Sequence, residues 1–151
     1  MTTNLMLRRT LRCVTFLLPL VLVATGAQAQ AAKPANCNVW RLDEAKNRIL
    51  FNDPKVNIQM PDKEERAKLR AQGQPGQLFV MKNCNTPDFE GTVPVFSEAE
   101  SAGNAVELVP SMVRVIILGE KGKWLQVKGH TELWKGTGWV RITDDLVVVK
   151  Y

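Results

Sequence analysis

The sequence predicts a mainly β protein, in which an α/β extension tied by a disulfide precedes a small antiparallel barrel. One basis is the apolar, β-branched run at 113–118, which meets a glycine-and-charge cluster at 119–123 and continues as an alternating strand from Trp124. That pattern is typical of a β-hairpin. A second basis is the recurrence of short apolar segments between turn residues, five or six in about 60 residues, which is the spacing of a small barrel. The third is a pair of cysteines upstream of these strands.

Residues 1–29 have the pattern of a secretory signal peptide. Arginines cluster at 8–12, an apolar run follows at 13–23, and a small-x-small triplet ends the segment at 27–29. This order is typical of a cleaved export signal, and about 11 apolar residues fall short of the ~20 that span a bilayer. We therefore expect cleavage after Ala29, a periplasmic or secreted protein, and no membrane span in the mature chain.

The charge of the chain argues against nucleic acid as a partner. The full sequence has 20 basic and 15 acidic residues. Three basic residues lie in the predicted signal peptide, so the mature part has 17 against 15, a net charge of +2. Such a balance does not produce the broad positive surface that attracts nucleic acids or anionic membranes.

Two cysteines, Cys37 and Cys84, follow the predicted signal peptide. In an oxidising exported compartment an even pair favours a disulfide, and we expect this bond to tie the start of the extension to the strand before the barrel. A nucleophilic cysteine with His130 as its base lacks a supporting motif. Two cysteines and one histidine also lack the paired spacings of a zinc site. We therefore predict no metal, no cofactor and no catalytic residue.

The extension, residues 30–90, is predicted to combine short strands with one helix. Strands are expected at 37–42 and 78–81, and a short apolar segment at 49–51 is ended by a turn signal. The helix is expected at 62–71, where Asp62 is a good N-cap followed three residues later by a glutamate. Its apolar residues form no wide stripe, so we expect it on the surface. Residues 74–76 are predicted to be a turn and 85–88 a linker.

Residues 91–151 are predicted to form the barrel. Its strands are expected at 93–96, 105–109, 113–118, 124–128, 138–142 and 146–151. Pro94 confines the first of them to a sheet edge or to a strand start. The longest connections, at 97–104 and 129–137, are predicted to be loops.

The sequence of the barrel segment resembles a bacterial SH3-like domain. The resemblance rests on Val-Pro-Val-Phe at 93–96, on Gly-Glu-Lys-Gly-Lys-Trp-Leu-Gln-Val at 119–127 and on Gly-Trp-Val at 138–140. The Asn-Val-Arg that usually follows the first strand is absent, and the loop at 129–137 is long. The resemblance implies an SH3-like barrel. In exported bacterial proteins such domains are typically non-catalytic and attach to the cell wall or to protein partners.

Three tryptophans are the predicted binding residues: Trp124, Trp134 and Trp139. Trp124 and Trp139 fall on neighbouring strands, where they either fill the core or form a platform for peptides or sugars. Trp134 lies in a polar connection without an evident core role. We therefore expect Trp134 to be exposed, and its replacement by alanine to weaken binding while leaving stability unchanged. The reverse is expected for Trp139.

The expected function is that of an exported, non-catalytic binding module of the bacterial envelope. Its partner would be cell-wall peptide or glycan (peptidoglycan), or an envelope protein, held by the tryptophan face. The alternative is a structural or regulatory subunit of an envelope protein complex, with the extension at 38–88 as the interface. An enzyme is not predicted, because no nucleophile–base pair, catalytic carboxylate pair or phosphate-binding loop is visible.

Overall fold

The computed structural model of the protein describes residues 40–83 and 86–151, which are mainly β-strand. The strands are β1 (Trp40–Asp43), β2 (Arg48–Phe51), β3 (Asn57–Gln59), β4 (Gln74–Lys82), β5 (Thr86–Pro87), β6 (Thr92–Val95), β7 (Glu107–Pro110), β8 (Arg114–Lys121), β9 (Trp124–Gly129), β10 (Thr137–Arg141) and β11 (Leu146–Lys150), and the helix is α1 (Lys63–Arg70). The predicted signal peptide and both cysteines, Cys37 and Cys84, lie outside the described residues, so export and the disulfide stay predictions.

A curled antiparallel sheet forms the centre of the fold, with the strand order β10-β9-β8-β4-β11. The predicted hairpin is its middle: β8 and β9 pair from Val115 with Gly129 to Lys121 with Trp124, and the register shifts between Ile117 and Gly119. Gly122 turns the chain with a φ of 59°, a conformation that favours glycine. All six strands predicted between residues 91 and 151 are confirmed, with small differences at their ends.

The hairpin of β6 and β7 attaches to the far edge of this sheet. Phe96, just after β6, forms a two-way bridge with Trp139 of β10, in which each backbone N–H donates to the other carbonyl at 2.8 Å. Gly138 allows this approach, since a Cβ there would lie 2.4 Å from a methyl of Val95. The bridge brings the β6–β7 hairpin over the concave side of the sheet. The sheet and the hairpin together are therefore closer to a closed barrel than the sheet alone.

Strand β4 is longer and more central than the sequence indicated. The predicted turn at 74–76 is wrong, because these residues are the first part of β4 and pair with Ile117, Ile116 and Val115 of β8. Further along, β4 pairs with β11, from Gly76 with Lys150 to Val80 with Leu146. The segment from 74 to 82, assigned to the extension by sequence, thus supplies a strand of the main sheet.

Two hydrophobic cores lie on opposite faces of the sheet. The inner core includes Leu78, Val93, Val95, Val109, Val113, Val115, Ile117, Leu125, Val127, Trp134, Val140 and Leu146. The outer core includes Ile49, Phe51, Met60, Phe79, Met81, Val147, Val149 and Tyr151. Because side chains alternate along a strand, β4 sends Leu78 into one core and Phe79 into the other. The sheet is therefore covered on both faces where β4 and β11 lie.

The N-terminal part of the described chain covers the outer face. β1, β2 and β3 form a three-stranded antiparallel meander, and α1 follows it. The predicted N-cap is confirmed, since Asp62 accepts a hydrogen bond from the Glu65 N–H at 2.8 Å. Arg66 of α1 is buried and donates to the Asn47 side chain at 2.9 Å and to the Pro61 carbonyl at 2.6 Å. This arginine fastens the helix to the turn between β1 and β2.

Within residues 40–83 and 86–151, the helix is too short and too polar to cross a bilayer.

Candidate functional site

Trp134 is part of the inner core, and the expectation that it is exposed is wrong. The side chain is 5% exposed. Its indole N–H donates to a carboxylate oxygen of Glu107, on β7, at 2.9 Å. Burial of a tryptophan is favourable when its N–H keeps a partner, and Glu107 provides that partner at the edge of the core.

The loop that carries Trp134 is folded back on itself. Thr131 and Trp134 bridge each other, and the Gly129 N–H donates to the Gly136 carbonyl at 2.9 Å. Neither glycine tolerates a side chain: a Cβ at Gly129 would lie 2.4 Å from the Trp134 carbonyl oxygen, and one at Gly136 would lie 2.6 Å from the indole nitrogen. The two glycines that bracket Trp134 are the sequence signal for its burial.

Trp124 and Trp139 lie together on the outer face of the sheet, beside Phe96. Trp139 pairs with Gln126 and Trp124 with Arg141 across β9 and β10, so their side chains share one face. The rings of Phe96 and Trp124 meet edge to face with centroids 5.2 Å apart. Trp124 is buried, whereas Trp139 and Phe96 are half-buried. We call these three residues the aromatic face; only two of them offer surface to a ligand.

A second surface, which the sequence did not indicate, lies at the opposite end of β9. It is a groove of about 470 Å³ between β3, the start of β8 and the loop after β9. Its lining includes Gln59, Gln77, Phe89, Arg114, Thr131 and Leu133. We call it the Gln77 groove. Sequence reasoning missed it because it joins residues from five separate segments, none of which forms a motif.

The side chain of Gln77 has an unpaired oxygen at this groove. Gln77 is 4% exposed, and its Nε2 donates to the Met112 carbonyl at 2.6 Å. A carbonyl accepts and never donates, so this bond determines which end of the amide is nitrogen. The opposite atom, Oε1, is buried and has no hydrogen-bond partner among the described residues. An unpaired buried acceptor costs about 1–3 kcal/mol, a cost that a ligand N–H would offset.

Thr131 and Arg114 add two more polar groups to the groove. The Thr131 hydroxyl is also buried without a partner in the described part of the chain. Arg114 lies directly across from Gln77 in the pairing of β4 and β8, and therefore on the same face of the sheet. One of its N–H groups donates to the Gln59 carbonyl at 3.1 Å. Within residues 40–83 and 86–151 no carboxylate forms an ion pair with this guanidinium.

Two exposed apolar side chains form the rim of the groove. Leu133 is 67% exposed and Phe89 is 49% exposed.

Met112, which also lines the groove, has a φ of 68°, a left-handed conformation that costs a residue other than glycine about 1–3 kcal/mol. Strain of this size at a cleft is a feature of ligand sites.

His130 precedes Thr131 of the groove and is half-buried. Its Nε2 is buried and has no partner among the described residues. Burial, and then the positive charge of Arg114, lower the pKa of His130. The imidazole is therefore neutral at physiological pH and adds no second positive charge beside Arg114.

The Gln77 groove offers a ligand both hydrogen-bonding and charged side chains. Its polar groups are an amide, a hydroxyl and a guanidinium, which recognise ligands through hydrogen bonds and charge. In the described ranges no three histidine, cysteine, aspartate or glutamate side chains lie close enough together to hold a metal ion.

Neither a protein-family model, nor a curated protein sequence, nor a solved structure matches this chain.

Proposed function

We propose that this chain is an exported, non-catalytic binding module of the bacterial envelope, built on an SH3-like barrel. In this proposal its partner is cell-wall peptide or glycan, or an envelope protein. The Gln77 groove is the ligand site. The observation that carries this assignment is the buried Oε1 of Gln77, which has no hydrogen-bond partner among the described residues and lies beside Arg114, which has no ion-pair partner among them.

The sheet topology supports an SH3-like barrel. The curled sheet has the β8–β9 hairpin at its middle, and the β6–β7 hairpin returns to β10 through Phe96. Small barrels of this kind leave their loops at the two ends of the sheet, where ligands are met by side chains held on a rigid scaffold. The Gln77 groove lies at one such end.

The polar groups of the groove support a ligand site over an inert surface depression. More than nine in ten buried polar groups in folded proteins have a hydrogen-bond partner. Here two buried oxygens, on Gln77 and Thr131, have no partner among the described residues and lie at the same groove. Exposed apolar side chains at the rim complete the combination that small-ligand and peptide sites share.

The aromatic face has less support as a ligand site than the sequence suggested for its tryptophans. Trp134 belongs to the inner core and Trp124 is buried, so only Trp139 and Phe96 have accessible ring surface. The aromatic face therefore remains an alternative surface, flanked by the exposed Arg141. Replacing Trp139 tests it separately from the groove.

The alternative role, in which the extension is the interface of a protein complex, has less to recommend it. Ile49, Phe51 and Met60 of this region are buried against the main sheet. Interfaces depend on a few buried apolar or aromatic anchors, and these side chains are already used within the fold.

Co-sedimentation with purified sacculi, and capture of solubilised envelope proteins on the immobilised mature protein, test the proposed function. A groove variant (Gln77→Leu with Arg114→Gln) is compared with a control variant (Gln72→Leu with Arg70→Gln), whose positions are exposed and outside the groove. We expect the wild type and the control to retain one of the two materials, and the groove variant to lose it. Equal retention by the groove variant, or no retention by the wild type, contradicts the proposal.

A further inference from the structure

The geometry of the Gln77 groove points to one ligand class: the carboxyl-terminal end of a peptide chain. This inference rests on the proposed function, because it names what the proposed ligand site recognises. It follows from the positions of a positive charge, two unpaired oxygens and an apolar rim.

The positive charge is Arg114. Its guanidinium has five N–H donors in a planar fork that matches a carboxylate, and one of them is held by the Gln59 carbonyl. That bond orients the fork and leaves its other donors for a ligand. No described carboxylate forms an ion pair with Arg114, so a ligand carboxylate would be its first ion-pair partner within the described chain.

The unpaired oxygens select a ligand that carries N–H donors next to its negative charge. Gln77 lies opposite Arg114 in the sheet, and directly opposite residues have Cβ atoms roughly 5 Å apart. One residue of extended peptide covers ~3.3–3.6 Å. A terminal residue can therefore place its carboxylate at Arg114 and its own N–H towards Gln77. Thr131 is a second acceptor for the next group along the peptide.

The rim selects an apolar terminal side chain. Phe89 and Leu133 are exposed at the groove, and an apolar side chain between them would remove water from all three. The oxygens of Gln77 and Thr131 that lack a partner among the described residues are themselves buried, so binding requires a side-chain movement at the rim. Leu133, which is 67% exposed, has little packing to oppose such a movement.

Calorimetric titration of the mature protein tests the inference with three probes: N-acetyl-Gly-Ala-Leu as the free acid, the same peptide as its carboxyl-terminal amide, and decanoate. We expect the free acid to bind about tenfold more tightly than the amide, the effect of one charge-assisted pair. Arg114→Gln should remove this preference, whereas Arg70→Gln, at an exposed position on α1, should keep it. Gln77→Leu should weaken binding of both peptides and leave their ratio intact.

Three results would overturn the inference: equal affinity for acid and amide, an unchanged preference in the Arg114→Gln variant, or decanoate binding as tightly as the free acid. The last result would identify an acyl carboxylate as the ligand instead of a peptide. Circular dichroism of each variant separates lost binding from lost folding. Failure of the inference is distinguishable from failure of the proposed function, because groove-dependent retention on sacculi or envelope protein is independent of these probes.

Discussion

Replacing Trp134 by alanine should destabilise the protein strongly. The indole is 5% exposed, packs in the inner core and donates to Glu107 at 2.9 Å. Truncating a buried aromatic side chain to alanine costs ~3–5 kcal/mol. The lost hydrogen bond adds little, because Glu107 is exposed and its carboxylate becomes hydrated instead. We therefore expect a loss of about 4 kcal/mol in the free energy of unfolding.

A loss of this size is a large part of the 5–15 kcal/mol that stabilises a typical domain. For a domain of this length it lowers the melting temperature by roughly 15 °C. Urea denaturation followed by circular dichroism measures the free energy directly. Trp139→Ala is the matched comparison, since Trp139 is half-buried on the outer face and should cost less.

Two results would refute this account of the loop. One is a Trp134→Ala variant whose free energy of unfolding lies within about 1 kcal/mol of the wild type, the range of surface substitutions. The other is a Trp139→Ala variant that is the less stable of the two. The first result would return Trp134 to the exposed position that the sequence suggested, and the second would contradict the lower cost expected for Trp139.

Three further predictions concern the extension and the response to pH. Arg66→Ala should lower the free energy of unfolding, measured by urea denaturation, by about 2–3 kcal/mol, because it leaves the Pro61 carbonyl and the Asn47 side chain without their donor. An unchanged denaturation midpoint would show that this arginine does not fasten the helix. Burial lowers the pKa of His130, so its contribution to stability is present above its unfolded pKa of about 6.5 and is lost as pH falls through the lower folded pKa. In the His130→Gln variant, the free energy of unfolding should therefore decrease less between about pH 7 and pH 5 than in the wild type. The same decrease in both proteins would contradict this. Burial also raises the pKa of Tyr151, so its contribution to stability is present below its unfolded pKa of about 10 and is lost as pH rises. Because the chain has one tyrosine, tyrosinate absorbance reports on this residue alone and should appear only together with unfolding. Ionisation near pH 10 in the folded protein would contradict this.

The elements that local pattern determines could be predicted from the sequence. The six strands after residue 91 follow from apolar segments separated by turn residues, and the β8–β9 hairpin follows from the glycine that its turn requires. The helix follows from Asp62, whose side chain caps it. In each case the signal and the structure lie within a few residues of one another.

Features that depend on distant partners could not be predicted. Pro75 and Gly76 have the composition of a turn, yet β8 and β11 enclose them on both sides and hold them in β4. Trp134 has polar neighbours in sequence, and its burial depends on packing in the inner core, with Glu107 of β7 as the partner of its indole N–H. Arg114 and Gln77 become neighbours only through the pairing of β4 and β8. The groove therefore exists only in the folded chain.

Chemical-shift mapping on the isotope-labelled mature protein tests the central claim, that the Gln77 groove is the ligand site. The ligand is a soluble digest of purified cell walls or, if envelope protein is retained instead, that isolated protein. We expect the largest changes at the Gln77 side-chain amide, the Arg114 guanidinium and the Leu133 methyl groups, with the Trp139 indole unchanged. Shifts centred on Trp139 and Phe96 with a silent groove, or no shifts from either ligand, would contradict the account.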